Sequence, residues 1–119
     1  MNIIICGAGK VGFSISKQLS AQGHSVTVID QSSEDIKKIN DTLDVKGIVG
    51  RATLPTVLEN AGAENTDMVI AVTRNDETNM IVCQLASSLF NVSKKIARIR
   101  TKDFLEGKWG KLYNKSNIP

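Results

Sequence analysis

The run Asn2-Ile3-Ile4-Ile5-Cys6-Gly7-Ala8-Gly9-Lys10-Val11-Gly12 opens the chain, and its two halves obey different rules. Asn2 to Cys6 is a short run rich in Ile without alternation, the pattern of a first strand buried on both faces of a parallel sheet. Gly7, Gly9 and Gly12 then follow at the G-x-G-x-x-G spacing, directly before a helical pattern, which is the context that gives this motif meaning. Gly7 permits a tight turn, Gly9 lets a pyrophosphate approach the backbone, and Gly12 lets the helix pack closely on the strand. The free N–H groups and positive dipole end of that helix face the phosphates, so no side chain is needed to hold the anion. The plainer reading makes the glycines a turn and nothing more. Strand, spacing and helix together favour Gly7, Ala8, Gly9, Lys10, Val11 and Gly12 as a phosphate cradle.

Outward from this run, strand and helix patterns alternate. Lys10 to Gln22 carries Val11, Ile15 and Leu19 on one helical face, with Gly23 where a C-terminal cap belongs. Ser25 to Asp30 is rich in β-branched residues, and Ser32 and Ser33 offer N-caps to a helix with Ile36, Ile39 and Leu43. Lys46 to Gly50 reads as a third strand. Thr53 is the expected cap of a short helix with Pro55 in its first turn, Leu54, Val57, Leu58 and Ala61 apolar, and Gly62 at its end. Asp67 to Val72 is a fourth strand, Asn75 to Asn91 a helix with Val82, Leu85, Ala86 and Leu89, and Lys95 to Ile99 a fifth strand. Five strands joined by helices require right-handed crossovers, hence a Rossmann-like, doubly wound α/β fold with a parallel sheet.

A length of 119 residues, with 41% hydrophobic and 23% charged residues, suits one globular domain and leaves no room for a second catalytic one. The net charge of +3 is small, and the basic cluster Lys94, Lys95, Arg98, Arg100 and Lys102 is a weak case for nucleic acid, so none is expected. No run approaches a membrane span, and the start lacks the charged region of a signal peptide. Direct membrane insertion is therefore not expected. Cys6 and Cys83 lie in apolar segments and read as reduced, buried thiols of a cytosolic protein. No Cys/His cluster has metal-ligand spacing, and the single His24 reads as a solvated turn residue.

Asp30 ends the second strand, where a carboxylate can accept both ribose hydroxyls and would repel a 2′-phosphate, which favours NAD over NADP. Lys10 or Arg51 would offset that repulsion if either reached the ribose, and Asp30 as a simple turn cap is the alternative. The loop from Thr73 through Asp76 to Asn79 leaves the fourth strand at the carboxyl edge, where ligands of open sheets bind, so it is a second candidate wall. Asp76 and Glu77 also suit plain compensation of a helix dipole. Arg98 and Arg100 stand on alternate residues and face the same side, towards phosphates, an acidic subunit surface or solvent. No histidine or lysine stands directly at the carboxyl end of the fourth or fifth strand to serve as a general acid or base near a nicotinamide, and no nucleophile is evident, so no catalytic residue is assigned.

Taken together, I-I-I-C-G-A-G-K-V-G, G-R-A-T-L-P-T-V-L-E-N-A-G-A, D-M-V-I-A-V-T-R-N-D-E-T-N-M-I-V-C-Q-L-A and I-A-R-I-R resemble the RCK (KTN, TrkA-N) domain of TrkA-type potassium-uptake regulators over residues 2 to about 105. The A-x-T after Gly50, the A-G-A and the V-T-x-x-D-E-x-N carry the resemblance beyond the glycines. It implies a cytosolic regulatory subunit, peripheral on the inner face of the plasma membrane. Such a subunit binds NAD or NADH, with ATP or ADP as further candidates, forms a homo-oligomeric dimer or ring, and gates potassium transport by a TrkH-type membrane subunit. By motif, Gly7, Gly9 and Gly12 would hold phosphates and Asp30 the ribose. Ala52 and Thr53 would lie near the adenine, Thr73 and Asp76 would line the cleft, and Arg98 or Arg100 would contact phosphates or a neighbouring subunit. Arg51 stands where the family usually has an acidic residue.

The resemblance divides the chain into a nucleotide-binding domain at 1–105 and a tail or linker at 106–119, leading towards a C-terminal domain. Phe104, Leu105, Trp109, Leu112 and Tyr113 then suggest an interface, or else packing on their own sheet. The competing function is the cofactor domain of an NAD-dependent oxidoreductase whose missing partner domain supplies the base.

Overall fold

The computed structural model describes residues 1–104. Its strands are β1 (Asn2–Cys6), β2 (Ser25–Asp30), β3 (Lys46–Val49), β4 (Met68–Ala71) and β5 (Lys94–Ala97). Its helices are α1 (Lys10–Ala21), α2 (Ser33–Thr42), α3 (Pro55–Asn60) and α4 (Asp76–Phe90), with short 3-10 turns at Ala63–Asn65 and Lys102–Phe104. All pairings are parallel, in the order β3-β2-β1-β4-β5. The fold is Rossmann-like, as expected. The chain winds away from β1 in one direction through β2 and β3 and in the other through β4 and β5, so a crevice opens beyond the carboxyl ends of β1 and β4. Cys6 pairs with both Ile29 and Ala71, which brings those strand ends level.

The unbroken apolar strands are explained by cover on both faces. Ile3, Ile5, Val26, Val28 and Ile70 pack with Ile36 and Ile39 of α2 and with Phe13, Ile15 and Leu19 of α1. Ile4, Cys6, Ile29, Val69 and Ala71 pack with Leu58 of α3 and Val82, Cys83 and Ala86 of α4. Gly23, at φ +89, follows the C-cap of α1 and donates to Ser20 O while His24 N donates to Leu19 O, the paired bonds of a Schellman ending.

Four local expectations are corrected. Val11 faces outward, because α1 meets the sheet through the small residues Gly12 and Ser16. Leu89 is also exposed, since Phe90, one turn beyond Ala86, takes its place against the core. Thr53 does not cap α3: Leu54 is the N-cap, held extended at φ −95 and ψ 122 by the proline that follows it. β5 ends at Ala97, leaving Arg98 to Arg100 as a segment beyond the sheet. Residues 105–119, with Leu105, Trp109, Leu112 and Tyr113, lie outside the described residues.

Both cysteines are buried, and burial pushes the Cys6 thiol well above its usual range and the Cys83 thiol up to about 11. A buried neutral thiol stabilises the fold below its unfolded pKa of 9.0, and for Cys83 that contribution is lost as pH rises through about 11. A thiol-disulfide reagent at pH 8 is therefore expected to titrate neither cysteine in the folded protein and both in 6 M guanidinium, as read by absorbance of the released thiolate.

Candidate functional site

The glycine loop sits at the crevice, and each glycine answers to a different constraint. Gly7 has φ +118, and a Cβ there would lie 2.9 Å from the Val72 carbonyl. A Cβ on Gly12 would overlap the Gly7 carbonyl oxygen and lie 2.7 Å from its carbon, so α1 approaches the loop to backbone contact. Gly9 is the opposite case: a Cβ would meet nothing within 4 Å. Among the described residues nothing requires a glycine there, and the open space suits a group that comes close to the backbone. The first turn of α1 also has neither a capping side chain nor an acidic residue. By contrast Ser32 caps α2 and Asn75 caps α4, each with two acidic residues in the first turn. The positive end of α1 is thus left for an anion.

Asp30 braces this loop. One carboxylate oxygen accepts Ala8 N–H at 2.7 Å and the other accepts Ser32 N–H at 2.8 Å. The turn-capping role weighed from sequence is present, and the half-buried carboxylate also faces the crevice with lone pairs to spare. A cleft of about 510 Å³ runs along the loop, lined on one side by Gly7, Gly9, Lys10, Val11, Asp30 and Asp35, and on the other by Val72, Thr73, Arg74, Arg98 and Arg100. A smaller one of about 190 Å³ adjoins it beside Asp30, Gly50, Ala52, Thr73 and Thr78. Lys10 therefore reaches the cleft, whereas Arg51 is exposed and absent from both linings. Ala8 and Gly12 lie buried beneath the loop. Asp35 and Arg74 are additions that the sequence reading did not single out. Asp35 was hidden behind its plain role in the first turn of α2, and Arg74 lay unremarked inside the polar loop.

Two expected lining residues are placed elsewhere. Thr53 is half-buried and outside both linings. Asp76 is buried at 7% exposure and turns away from the cleft. Its carboxylate accepts the backbone N–H groups of Arg100 at 3.0 Å and Thr101 at 2.8 Å. Hydrogen bonding from the Thr101 side chain, then from the Arg100 backbone, holds the Asp76 carboxyl below its ordinary value of 3.8. Because the pKa is depressed, this tether is complete above that value and is lost as pH falls through the folded one. One turn along, the fully buried Asn79 accepts from Thr73 N–H at 2.9 Å and Thr73 hydroxyl at 2.7 Å. Its amide donates to Thr73 O at 3.1 Å and Arg98 O at 2.8 Å. Asn79 was legible only as the last letter of a motif.

The TrkA-N domain family matches residues 3–112. The chain belongs to the TrkA-N domain family. Over its whole length it is 44% identical to the Trk system potassium uptake protein TrkA of Azorhizobium caulinodans, and 40% identical to that of Vibrio alginolyticus. This TrkA-N domain spans only 26% of either relative. Among solved structures, the TrkA-N domain of the inner membrane protein ybaL from Escherichia coli superposes with a TM-score of 0.79 at 20% identity, covering 86% of this chain and 75% of that one. The AMP-bound Kef C-terminal domain of Shewanella denitrificans gives 0.69 at 26% identity, covering 81% and 57%. Bordetella bronchiseptica WbmG in complex with NAD gives 0.62 at 21%, covering 80% and 36%, a likeness of fold.

The glycine geometry separates two substitutions. Gly12→Ala is expected to destabilise the TrkA-N domain by about 3 kcal/mol or more through backbone overlap, while Gly9→Ala should shift the urea midpoint little. Urea denaturation followed by circular dichroism checks both.

Proposed function

We propose that this TrkA-N domain, over residues 1–105, is the nucleotide-sensing part of a cytosolic, non-enzymatic regulator of potassium uptake, with 106–119 leading to a further domain. The observation that carries the binding half is the open, uncapped end of α1 at Gly9, beside the Asp30 carboxylate. In this reading the α1 N–H groups and Lys10 take the phosphates and Asp30 takes the ribose hydroxyls. Ala52 floors the adenine side, and Thr73 with Arg98 and Arg100 closes the far wall. NAD or NADH is the favoured ligand, and the second carboxylate, Asp35, adds to the repulsion of a 2′-phosphate. ATP or ADP is the further candidate, supported by the AMP held by the Kef relative.

The regulatory half rests on the relatives' name, Trk system potassium uptake protein TrkA. A ligand with different affinities for two cleft geometries biases them, and a homo-oligomeric dimer or ring passes that bias to a TrkH-type membrane subunit at the inner membrane face. The oxidoreductase reading is disfavoured by the cleft itself, whose described lining offers two carboxylates and no histidine, tyrosine or cysteine.

Calorimetric titration of the domain with NAD, NADH, NADPH, ATP and ADP tests the site. Saturable NADH binding is expected, at least tenfold tighter than NADPH, with affinity abolished in Gly9→Asp at unchanged thermal stability, since that side chain enters the open space without a clash. Absence of binding by every nucleotide would overturn the site. Consumption of NADH by the full-length protein would overturn the regulator.

A further inference from the structure

The cleft's far wall is held from behind. Arg98 and Arg100 leave the sheet on a segment that β5 no longer supports, since the strand ends at Ala97. Arg98 N–H still donates to Ala71 O at 2.9 Å, but Arg100 and Thr101 donate their N–H groups to one carboxylate, that of Asp76. Asn79, one turn further along α4, binds Arg98 O and both backbone groups of Thr73. Neither Asp76 nor Asn79 lines the cleft. Both are buried, and together they fasten the backbone of three lining residues, Thr73, Arg98 and Arg100, to the first turn of α4.

We propose that Asp76 and Asn79 are positioning residues for nucleotide affinity, which act through the backbone of Arg98 to Thr101 to aim two guanidinium groups across the cleft at the ligand's phosphates. This rests on the reading of the cleft as a nucleotide site. An arginine on an unsupported segment loses conformational freedom when it meets a phosphate, and that entropy is subtracted from the contact. A segment already pinned by charge-assisted hydrogen bonds loses less, so its arginines bind more strongly for the same contacts. The pairing also joins the cleft to α4, because a shift of the arginine segment must drag on Asp76 and Asn79.

The test is a double-mutant cycle on the 119-residue chain with NADH as probe, read by calorimetry and by amide exchange in NMR spectra. Asp76→Ala is expected to speed exchange at Arg100 and Thr101 while the amides of β1 and β4 stay protected, and to weaken NADH binding about tenfold. Asp76→Asn, which keeps one acceptor oxygen, should lose less and serves if the alanine variant fails to fold. In an Arg98→Ala, Arg100→Ala background either substitution at Asp76 should leave the remaining affinity unchanged. Faster exchange with unaltered NADH affinity would overturn the positioning role, as would equal losses with and without the arginines, the sign of a merely structural effect. Failure of the parent chain to bind NADH would overturn the nucleotide site and this inference with it, and the parent titration identifies that outcome separately.

Discussion

Everything at the crevice depends on how closely the backbone of α1 approaches the turn that precedes it. Gly12 lies against the Gly7 carbonyl with no space for a methyl group, and Gly7 in turn lies against Val72 and Thr73 at the end of β4. The glycine loop, the start of α1 and the distant end of β4 thus meet at backbone contact. Because the helix is that close, its first N–H groups open directly onto the space beyond β1 and β4. Because the strand order reverses there, no helix among the described residues covers that space. The anion-binding potential of the fold follows from packing, with no charged side chain required for it.

Much of this was legible in sequence, and for an identifiable reason. A strand covered on both faces reads as a continuous apolar run, as β1 does, and β2 is marked by its β-branched residues, so both were read with their observed limits. Glycine at a position of backbone contact has no substitute, so the loop was legible too. The losses occurred where the deciding contact was made by small or polar groups. Gly12 and Ser16 have no hydrophobic signature, so the sheet-facing side of α1 was drawn through Val11 instead. Ser16 is fully buried and its hydroxyl has no hydrogen-bond partner among the described residues, a polar burial that no hydrophobic pattern would announce. Leu54 carries no capping signal, yet the clash with the ring of Pro55 decides where α3 begins.

Asp76 shows a deeper ambiguity. An acidic residue at the start of a helix satisfies three descriptions at once: dipole compensation, a cleft wall, and an acceptor for some other segment. Local sequence cannot separate them, because the partner amides belong to Arg100 and Thr101, 24 and 25 residues away. Only the parallel register that lays β5 beside β4 brings that segment over the first turn of α4. Asn79 is the same case in part: three bonds of this buried amide go to Thr73, six residues upstream, while the fourth reaches Arg98 O, 19 residues away.

The double engagement of Asp30 limits how this domain can change during evolution. A carboxylate that only read the ribose could be exchanged for a smaller or basic residue to admit a 2′-phosphate, as a single step. Here the carboxylate proposed to read the ribose also accepts the Ala8 amide, so the exchange would leave a loop N–H without that acceptor in a part-buried position. If the proposed ribose contact holds, a change of cofactor preference has to arrive together with a new acceptor for that amide. On that condition, ligand choice and loop geometry form one heritable unit.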